Sequence, residues 1–180
     1  MSEAKIVLGE GPVPARLMLI GEAPGGNEVA QGRPFVGAAG KQLNALLTAA
    51  GLERSEIYIT NVVKFRISKI NPATGREVNR PVRKSELIDG RSELLREITR
   101  VNPQMICTLG NSALQGLTGE FELMIGDVHG RVIVREIDGL PRNIFPLYHP
   151  ASIIYNRLLK EVYEEDLRFL SEQMKHTLMT

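Results

Sequence analysis

The sequence predicts an α/β fold, a three-layer α/β/α sandwich in which helices cover both faces of a mostly parallel sheet of four to five strands. Short apolar runs of strand type alternate with helical periodicities along the chain, an order that is typical of parallel sheets. The run Leu17-Met18-Leu19-Ile20 is apolar throughout, as expected for a strand buried on both faces. The chain has 180 residues, of which 43% are hydrophobic and 24% charged, so we expect residues 1–180 to form a single domain with one core.

The N-terminal half is predicted to contain two strands and one helix, separated by two long loops. The elements are, in order, an irregular or strand-like lead-in (1–15), a strand (17–20), a glycine-rich loop (21–37), a helix (41–50), a strand (56–63) and a basic surface loop (64–84). Leucines at helical spacing predict the helix, and Gly51 can end it in a left-handed conformation. β-branched and aromatic residues predict the second strand, with Asn61 at its end. The segment 64–84 contains Asn71-Pro72, Gly75 and Pro81 and no hydrophobic period, which favours an irregular loop.

The C-terminal half continues the alternation of helices and strands. The predicted elements are a helix (85–101), a strand (104–109), a short helix (111–117), two strands (130–137 and 143–147), a strand-end loop (148–152) and a closing helix (159–178). Asn102-Pro103 ends the first helix, because proline cannot continue it. The strand at 130–137 alternates enough to be half exposed, and the closing helix has the apolar spacing of an amphipathic helix.

Several classes of protein are excluded by the composition. No apolar run approaches the roughly 18 residues of a membrane span, and the N-terminus lacks the apolar core of a signal peptide, so we expect a cytoplasmic protein without a membrane partner. The single Cys107 excludes an internal disulfide, a cysteine zinc site and a four-cysteine iron–sulfur cluster, and its apolar neighbours favour a packed thiol. His129, His149 and His176 lack metal-ligand spacing. We therefore expect neither a metal nor a cofactor.

The charge is unevenly distributed along the chain. The formal net charge is only +1, yet the segment 64–84 holds seven basic residues against the single acid Glu77. These basic residues are Lys64, Arg66, Lys69, Arg76, Arg80, Arg83 and Lys84. A polyanion such as DNA would dock on such a segment; the alternative is a solvated basic loop without a partner.

Polar residues follow three predicted strands at their carboxyl ends. Glu22 follows the first strand, Asn61 ends the second and His149 follows the last. Because parallel strands end on the same side of a sheet, these residues can converge although they are far apart in sequence. Phe35, in the glycine-rich loop, offers a flat face that could stack on a ring. Taken alone, the loop could also be a plain turn with an exposed Glu and a core Phe, and it is not a phosphate-binding P-loop, because no Gly-Lys-Ser/Thr closes it.

Four motifs stand out by their order and spacing. They are Gly21-Glu22-Ala23-Pro24-Gly25, Gly32-Arg33-Pro34-Phe35-Val36-Gly37, Thr60-Asn61-Val62-Val63-Lys64 and His149-Pro150-Ala151-Ser152. Together they resemble the motifs of the uracil-DNA glycosylase superfamily, and most of all those of its family 4 branch of bacteria and archaea. The resemblance runs from about Leu17 to Leu170. It implies the same sandwich fold, with a parallel four-stranded sheet, that the pattern of elements predicts.

The resemblance also implies roles for the pocket residues. Glu22 matches the carboxylate that positions the hydrolytic water or stabilises the sugar cation, and His149 matches the residue that hydrogen-bonds uracil O2 as charge develops there. Phe35 matches the residue that stacks on the flipped uracil, and Asn61 the amide that reads the base edge. The remaining predicted pocket residues are Ala23 and Gly25, whose backbone would line the pocket, and Glu28, which would fill the space of a thymine methyl unless it is simply a solvated loop residue.

For the DNA backbone we expect contacts from the basic segment and from the loop after His149. The candidate residues are Lys64, Arg66, Lys69, Arg80 and Ser152. The segment that includes Ile153, Ile154 and Tyr155 lies where the resemblance implies a loop that penetrates the base stack.

The sequence departs from family 4 in its cysteines. Members of that family hold an iron–sulfur cluster with four cysteines, two of them near the N-terminus. Here the N-terminal segment has no cysteine for the first two ligands. The position of the third ligand corresponds to Phe65, that of the fourth falls near Asp89, and Cys107 is at no ligand position. We therefore expect a cluster-free relative whose segment 64–84 is held by other contacts.

The leading hypothesis is a monofunctional glycosylase, acting as a monomer without cofactors, that removes uracil from DNA by base flipping for base excision repair. Whether it accepts other deaminated bases is left open. One alternative is a catalytically weak or inactive superfamily member that binds nucleic acid or a free base; another is a small-nucleotide-binding α/β protein that shares only the fold. The joint presence of Glu22, Asn61, Phe35 and His149 favours the enzyme, because a pure binder has little use for a carboxylate beneath the sugar.

Overall fold

A computed structural model describes residues 4–176 of the chain. Its strands are β1 (Leu17–Gly21), β2 (Ile57–Asn61), β3 (Ser68–Ile70), β4 (Glu77–Asn79), β5 (Met105–Leu109), β6 (Ile133–Ile137) and β7 (Leu140–Leu147). Its helices are α1 (Gly26–Gln31), α2 (Ala38–Ala49), α3 (Lys84–Val101), α4 (Asn111–Thr118), α5 (Ile125–Val128), α6 (Ala151–Tyr155) and α7 (Leu159–His176), with a 3₁₀ turn at Arg54–Glu56. The last two positions of the predicted closing helix, 177 and 178, and the first three of the lead-in lie outside the described residues.

The central sheet has five strands in the order β2-β1-β5-β7-β6. The first four are parallel, and β6 pairs antiparallel with β7 at one edge. Gly21 and Asn61, the last residues of β1 and β2, are direct partners in the register. The predicted mostly parallel sheet of four to five strands is confirmed, and its carboxyl edge brings strand ends together.

Helices cover both faces of the sheet. Alternate residues of β1 point to opposite cores: Leu17 and Leu19 pack with residues of α2 and α7, whereas Met18 and Ile20 pack with residues of α3 and α4. All five residues of β1 are buried, which explains why the strand is apolar without alternation. The three-layer sandwich predicted from the sequence is confirmed.

Two predicted loops contain regular structure. The loop 21–37 includes α1, which buries none of its residues and so leaves no hydrophobic period in the sequence. The segment 64–84 is wrongly predicted as irregular: β3 and β4 pair as an antiparallel hairpin, and its turn is closed by Asn71, whose Oδ1 accepts a hydrogen bond from the Ala73 amide. Strands that pack against no core need no apolar alternation, so the pattern could not reveal them.

The lone cysteine belongs to the core. Cys107 lies in β5 and is fully buried, which confirms the prediction of a packed thiol, and burial raises its pKa well above the ordinary value. Across residues 4–176 we find no helix that combines the length and the apolar character needed to cross a membrane.

Candidate active site

A cavity of about 410 Å³ lies at the carboxyl ends of β1, β2 and β7. Its size is within the range of small-molecule sites. All seven residues that the sequence assigns to catalysis and base binding line it: Glu22, Ala23, Gly25, Glu28, Phe35, Asn61 and His149. The fold therefore brings together side chains that are up to 127 positions apart, as the convergence of parallel strand ends predicts.

Phe35 and Asn61 meet across the bare backbone of Gly21. A Cβ at position 21 would lie 2.5 Å from Phe35 Cζ and closer still to Asn61 Oδ1, so a side chain larger than hydrogen does not fit there. Phe35 is 6% exposed and Asn61 only 3%. The aromatic ring and the amide thus both pack close to the end of β1, and both line the cavity.

The imidazole of His149 has a defined donor and acceptor side. The Ala151 amide donates to Nδ1 at 3.1 Å, so Nδ1 is an acceptor and the neutral ring carries its proton on Nε2. Burial lowers the pKa of His149 below its ordinary value, which favours this neutral form. The ring centroid lies 6.1 Å from that of Phe35. Beside the aromatic face, His149 can therefore offer an N–H without carrying a charge.

The backbone at Glu22 is held by an extension of the β1–β2 pairing. The Val62 amide donates to Gly21 O at 2.9 Å, and the Val63 amide donates to Glu22 O at 3.0 Å. These bonds lie beyond the last residues of both strands, so the turn that carries Glu22 is tied to the sheet. A carboxylate placed in this way can face positive charge that develops in a bound ligand.

The carboxylate of Glu28 is bound to backbone within the site. Its Oε1 accepts hydrogen bonds from the Val36 amide at 3.2 Å and from the Gly37 amide at 2.9 Å. Glu28 therefore braces the segment 34–37, which we call the Phe35 loop, from the side of α1. It is more than a solvated loop residue, which was the alternative that the sequence left open.

Lys64 is withdrawn from the surface. Its Nζ donates to Asn61 O at 2.7 Å and to Thr60 Oγ1 at 2.6 Å, and it forms an ion pair with Glu97 of α3. Its side chain is 10% exposed, and burial lowers its pKa against the opposing effect of Glu97. The ammonium that we expected on DNA is thus engaged beneath the site, where it holds the end of β2.

The other predicted DNA contacts lie outside the cavity lining. Arg66 pairs with Glu77 at 3.0 Å and donates to Asn79 Oδ1 at 2.8 Å, so its charge is partly used within the hairpin. Arg80 forms two hydrogen bonds to Glu86, which lower the pKa of that carboxyl to about 2. Lys69 is exposed on β3, and Ser152 is half-buried in α6. Of the basic segment, Lys69, Arg76, Arg83 and Lys84 are exposed to solvent, and the first two lie on the β3–β4 hairpin.

Some site residues escaped the sequence reasoning. Asn79 of β4 lines the cavity, and its Nδ2 lies near Gly25, where a Cβ would be 3.2 Å away. Arg54, which lies outside the four motifs, binds the Phe35 loop through its guanidinium. No periodicity or motif marks either residue, because each reaches the site through a tertiary contact.

The iron–sulfur cluster that the resemblance to family 4 implies does not fit the residues present. Such clusters are held by thiolates, whereas the two matching positions carry Phe65 and Asp89, and the only cysteine, Cys107, is buried inside the sheet. In place of ligands, the N-terminal segment pairs with the residues after β2: Ile6 forms a bridge with Phe65, and the Val7 amide donates to Lys64 O at 2.7 Å.

Sequence comparison relates the chain to a known protein family. A family profile described as "Uracil DNA glycosylase superfamily" matches residues 8–171. A type-4 uracil-DNA glycosylase of Saccharolobus solfataricus is 37% identical over 178 residues, which span 97% of this chain and 78% of that protein. The proteins of the same name from Archaeoglobus fulgidus and Sulfurisphaera tokodaii are 35% and 38% identical, over 95% and 92% of this chain and 83% and 73% of theirs.

Proposed function

The chain belongs to the uracil-DNA glycosylase superfamily, and from this membership and the geometry of the cavity we propose that it hydrolyses the N-glycosidic bond of uracil in DNA. The observation that carries the proposal is the convergence of Glu22, Phe35, Asn61 and His149 in one cavity of nucleobase size. Because one chain supplies all of these residues, we propose that it acts as a monomer.

Asn61 and Phe35 would recognise the base. A buried amide can donate to O4 of uracil and accept from N3–H, whereas cytosine presents the opposite pattern and would leave polar groups unpaired at a cost of about 1–3 kcal/mol each. Phe35 would stack on the ring. Such a base must leave the helix to reach a cavity at a strand edge, so we propose that the nucleotide is flipped out of the duplex.

His149 and Glu22 would act on the two charges of the transition state. As the glycosidic bond breaks, negative charge develops on the departing uracil and positive charge on the deoxyribose. The Nε2–H of a neutral His149 would donate to O2 of the leaving base, and the carboxylate of Glu22 would stabilise the sugar cation or orient the attacking water. Removal of a single preorganised group of this kind costs about 3 kcal/mol of transition-state stabilisation.

The surface around the cavity offers features that suit a DNA strand. Ile154 and Tyr155 lie at its rim and are 50% and 88% exposed. Exposed apolar side chains next to a base pocket can enter the stack and replace the flipped base. On the other side, Lys69 and Arg76 of the β3–β4 hairpin carry exposed positive charge that can face phosphates.

The decisive experiment is single-turnover cleavage of an oligonucleotide with one uracil, as a U·G pair, as a U·A pair and in a single strand, with hypoxanthine as a further substrate. We expect the wild type to release uracil and both Glu22→Gln and Asn61→Ala to slow release about 100-fold. Glu161→Gln, an exposed carboxylate on α7, serves as the matched control and should keep the wild-type rate.

The absence of cleavage on every substrate would refute the proposal. Retained binding of uracil-containing DNA in that case would favour the alternative of an inactive family member. Equal rates for the wild type and Glu22→Gln would remove Glu22 from the mechanism.

A further inference from the structure

Phe35 occupies a backbone conformation that a bulky residue rarely adopts. Its φ is +52°, in the left-handed region that favours glycine. The two other such non-glycine residues among the described positions are Asn102 and Asp138, whose short polar side chains tolerate this region better. A conformation of this kind persists only where its surroundings hold it.

Arg54 holds the Phe35 loop through its carbonyl groups. This residue starts the 3₁₀ turn before β2, and its side chain is 21% exposed. Its Nη2 donates to Pro34 O at 2.7 Å, and its Nη1 donates to Phe35 O at 2.9 Å. The planar fork of a guanidinium can reach two neighbouring carbonyls in this way, whereas a lysine ammonium has no such geometry.

Other contacts orient the guanidinium of Arg54. Its Nη1 also donates to Asn44 Oδ1 of α2 at 2.8 Å, and Nη2 lies 3.4 Å from Glu10 Oε1. With four acceptors around it, the group is not available to bind a ligand phosphate. Its contacts are directed to the protein itself.

Glu28 binds the same loop from the opposite side. It accepts from the amides of Val36 and Gly37, while Arg54 donates to the carbonyls of Pro34 and Phe35. Four consecutive residues are thus each bound through one backbone group, two by a cation and two by an anion. A Cβ on Gly40 of α2 would overlap the carbonyl of Phe35, so the backbone of the loop also packs tightly against this helix.

We propose that Arg54 is a positioning residue that sets the stacking face of Phe35 for the base. The inference rests on the proposed function, since it assigns a task to the loop in that reaction. Without the two bonds from Arg54, the left-handed backbone of Phe35 loses its support and the ring loses its fixed place beside Asn61 and His149.

A double-mutant cycle tests whether Arg54 acts through Phe35. We expect Arg54→Met to slow single-turnover uracil release about tenfold or more, because two hydrogen bonds from a charged group are lost. Arg54→Lys should recover little of the rate. In the Phe35→Leu background, the same Arg54→Met change should slow release less than about twofold, because the ring that it positions is gone.

Arg33 provides the matched control. It binds the same Glu10 carboxylate, at 2.8 Å, but its side chain is 56% exposed and donates no hydrogen bond to the Phe35 loop. Arg33→Met should therefore keep the wild-type rate. An equal loss from Arg54→Met with and without Phe35 would overturn the proposal, since a general structural role gives additive effects.

Amide hydrogen exchange separates this inference from the proposed function. Arg54→Met should speed exchange at Val36 and Gly37, and Arg33→Met should leave it unchanged. If the wild type released no uracil, the proposed function would fail, and the exchange rates would still decide whether Arg54 holds the loop. Unchanged exchange in a folded Arg54→Met protein would overturn the inference whatever the activity.

Discussion

The close approach of Phe35 and Asn61 to Gly21 makes Gly21→Ala the sharpest test of the pocket geometry. The added Cβ would lie 2.5 Å and 2.6 Å from Phe35 Cζ and Cε2, whereas ordinary contacts begin at 3.4 Å. The ring must therefore retreat by about 1 Å, and a misplacement of this size can lower a rate about 100-fold. The φ of Gly21 lies outside the left-handed region, so the change adds no backbone strain. We expect Gly21→Ala to fold and to release uracil about 100-fold more slowly under single-turnover conditions.

A control outside the site, in helix α5, separates this effect from the general cost of replacing glycine. A Cβ on Gly126 of α5 would meet only Tyr148 Oη, at 4.0 Å. Gly126→Ala should therefore keep the rate and should not lower the midpoint of urea unfolding. If Gly21→Ala released uracil within about threefold of the wild-type rate, the close approach of Phe35 and Asn61 would have no catalytic importance, and our account of the base site would be refuted.

Two further predictions concern pH and salt. Burial lowers the pKa of His149 in the folded protein, so the unfolded chain takes up a proton first as the pH falls below about 6.5. The free energy of unfolding should therefore decrease below that pH, and His149→Gln should remove this part of the decrease. Urea unfolding of both proteins between pH 5 and pH 8 measures the difference, and parallel curves would contradict it. If Lys69 and Arg76 contact phosphates, replacing both with serine should reduce the slope of log affinity against log salt by about two. The control is the double change Lys160→Ser with Arg168→Ser at two exposed positions of α7, which should leave the slope as it is. If the hairpin variant also kept the wild-type slope, the hairpin would not be part of the DNA interface.

The basic segment shows how a charge count can overstate the surface that is free to bind DNA. Lys64, Arg66 and Arg80 each pair with a carboxylate, of Glu97, Glu77 and Glu86 in turn. Two of those acids lie in α3, outside the segment whose charge the sequence analysis counted. The ion pairs tie the segment to the helix. The exposed positive charge left for a partner lies on the hairpin, at Lys69 and Arg76, and at the start of α3, at Arg83 and Lys84.

The same contacts account for a segment that has no cluster to hold it. Lys64 joins the end of β2 to α3 through Glu97, and Arg80 joins the end of the hairpin to the first turn of α3 through Glu86. The bridge between Ile6 and Phe65 adds the N-terminal segment. The N-terminal segment, the residues after β2 and helix α3 are thus linked by backbone pairing and ion pairs.

The sequence by itself determined the sandwich and seven of the residues that line the pocket. Buried parallel strands leave continuous apolar runs in the sequence, and their carboxyl ends must share one edge of the sheet. The sequence alone therefore places Glu22, Asn61 and His149 at one site. The motifs around them then carried the family resemblance. These features are local or follow from topology, which is why a linear pattern records them.

Only the tertiary structure decided which charges face the solvent and what holds the aromatic face of the pocket. Lys64 and Lys69 look alike in the sequence, yet one is buried against Glu97 and the other is exposed. Arg54 lies 19 positions from Phe35 and binds its carbonyl only because the chain returns to that point. Pairings of this kind depend on distances in space between residues remote in sequence, and neither composition nor periodicity contains that information.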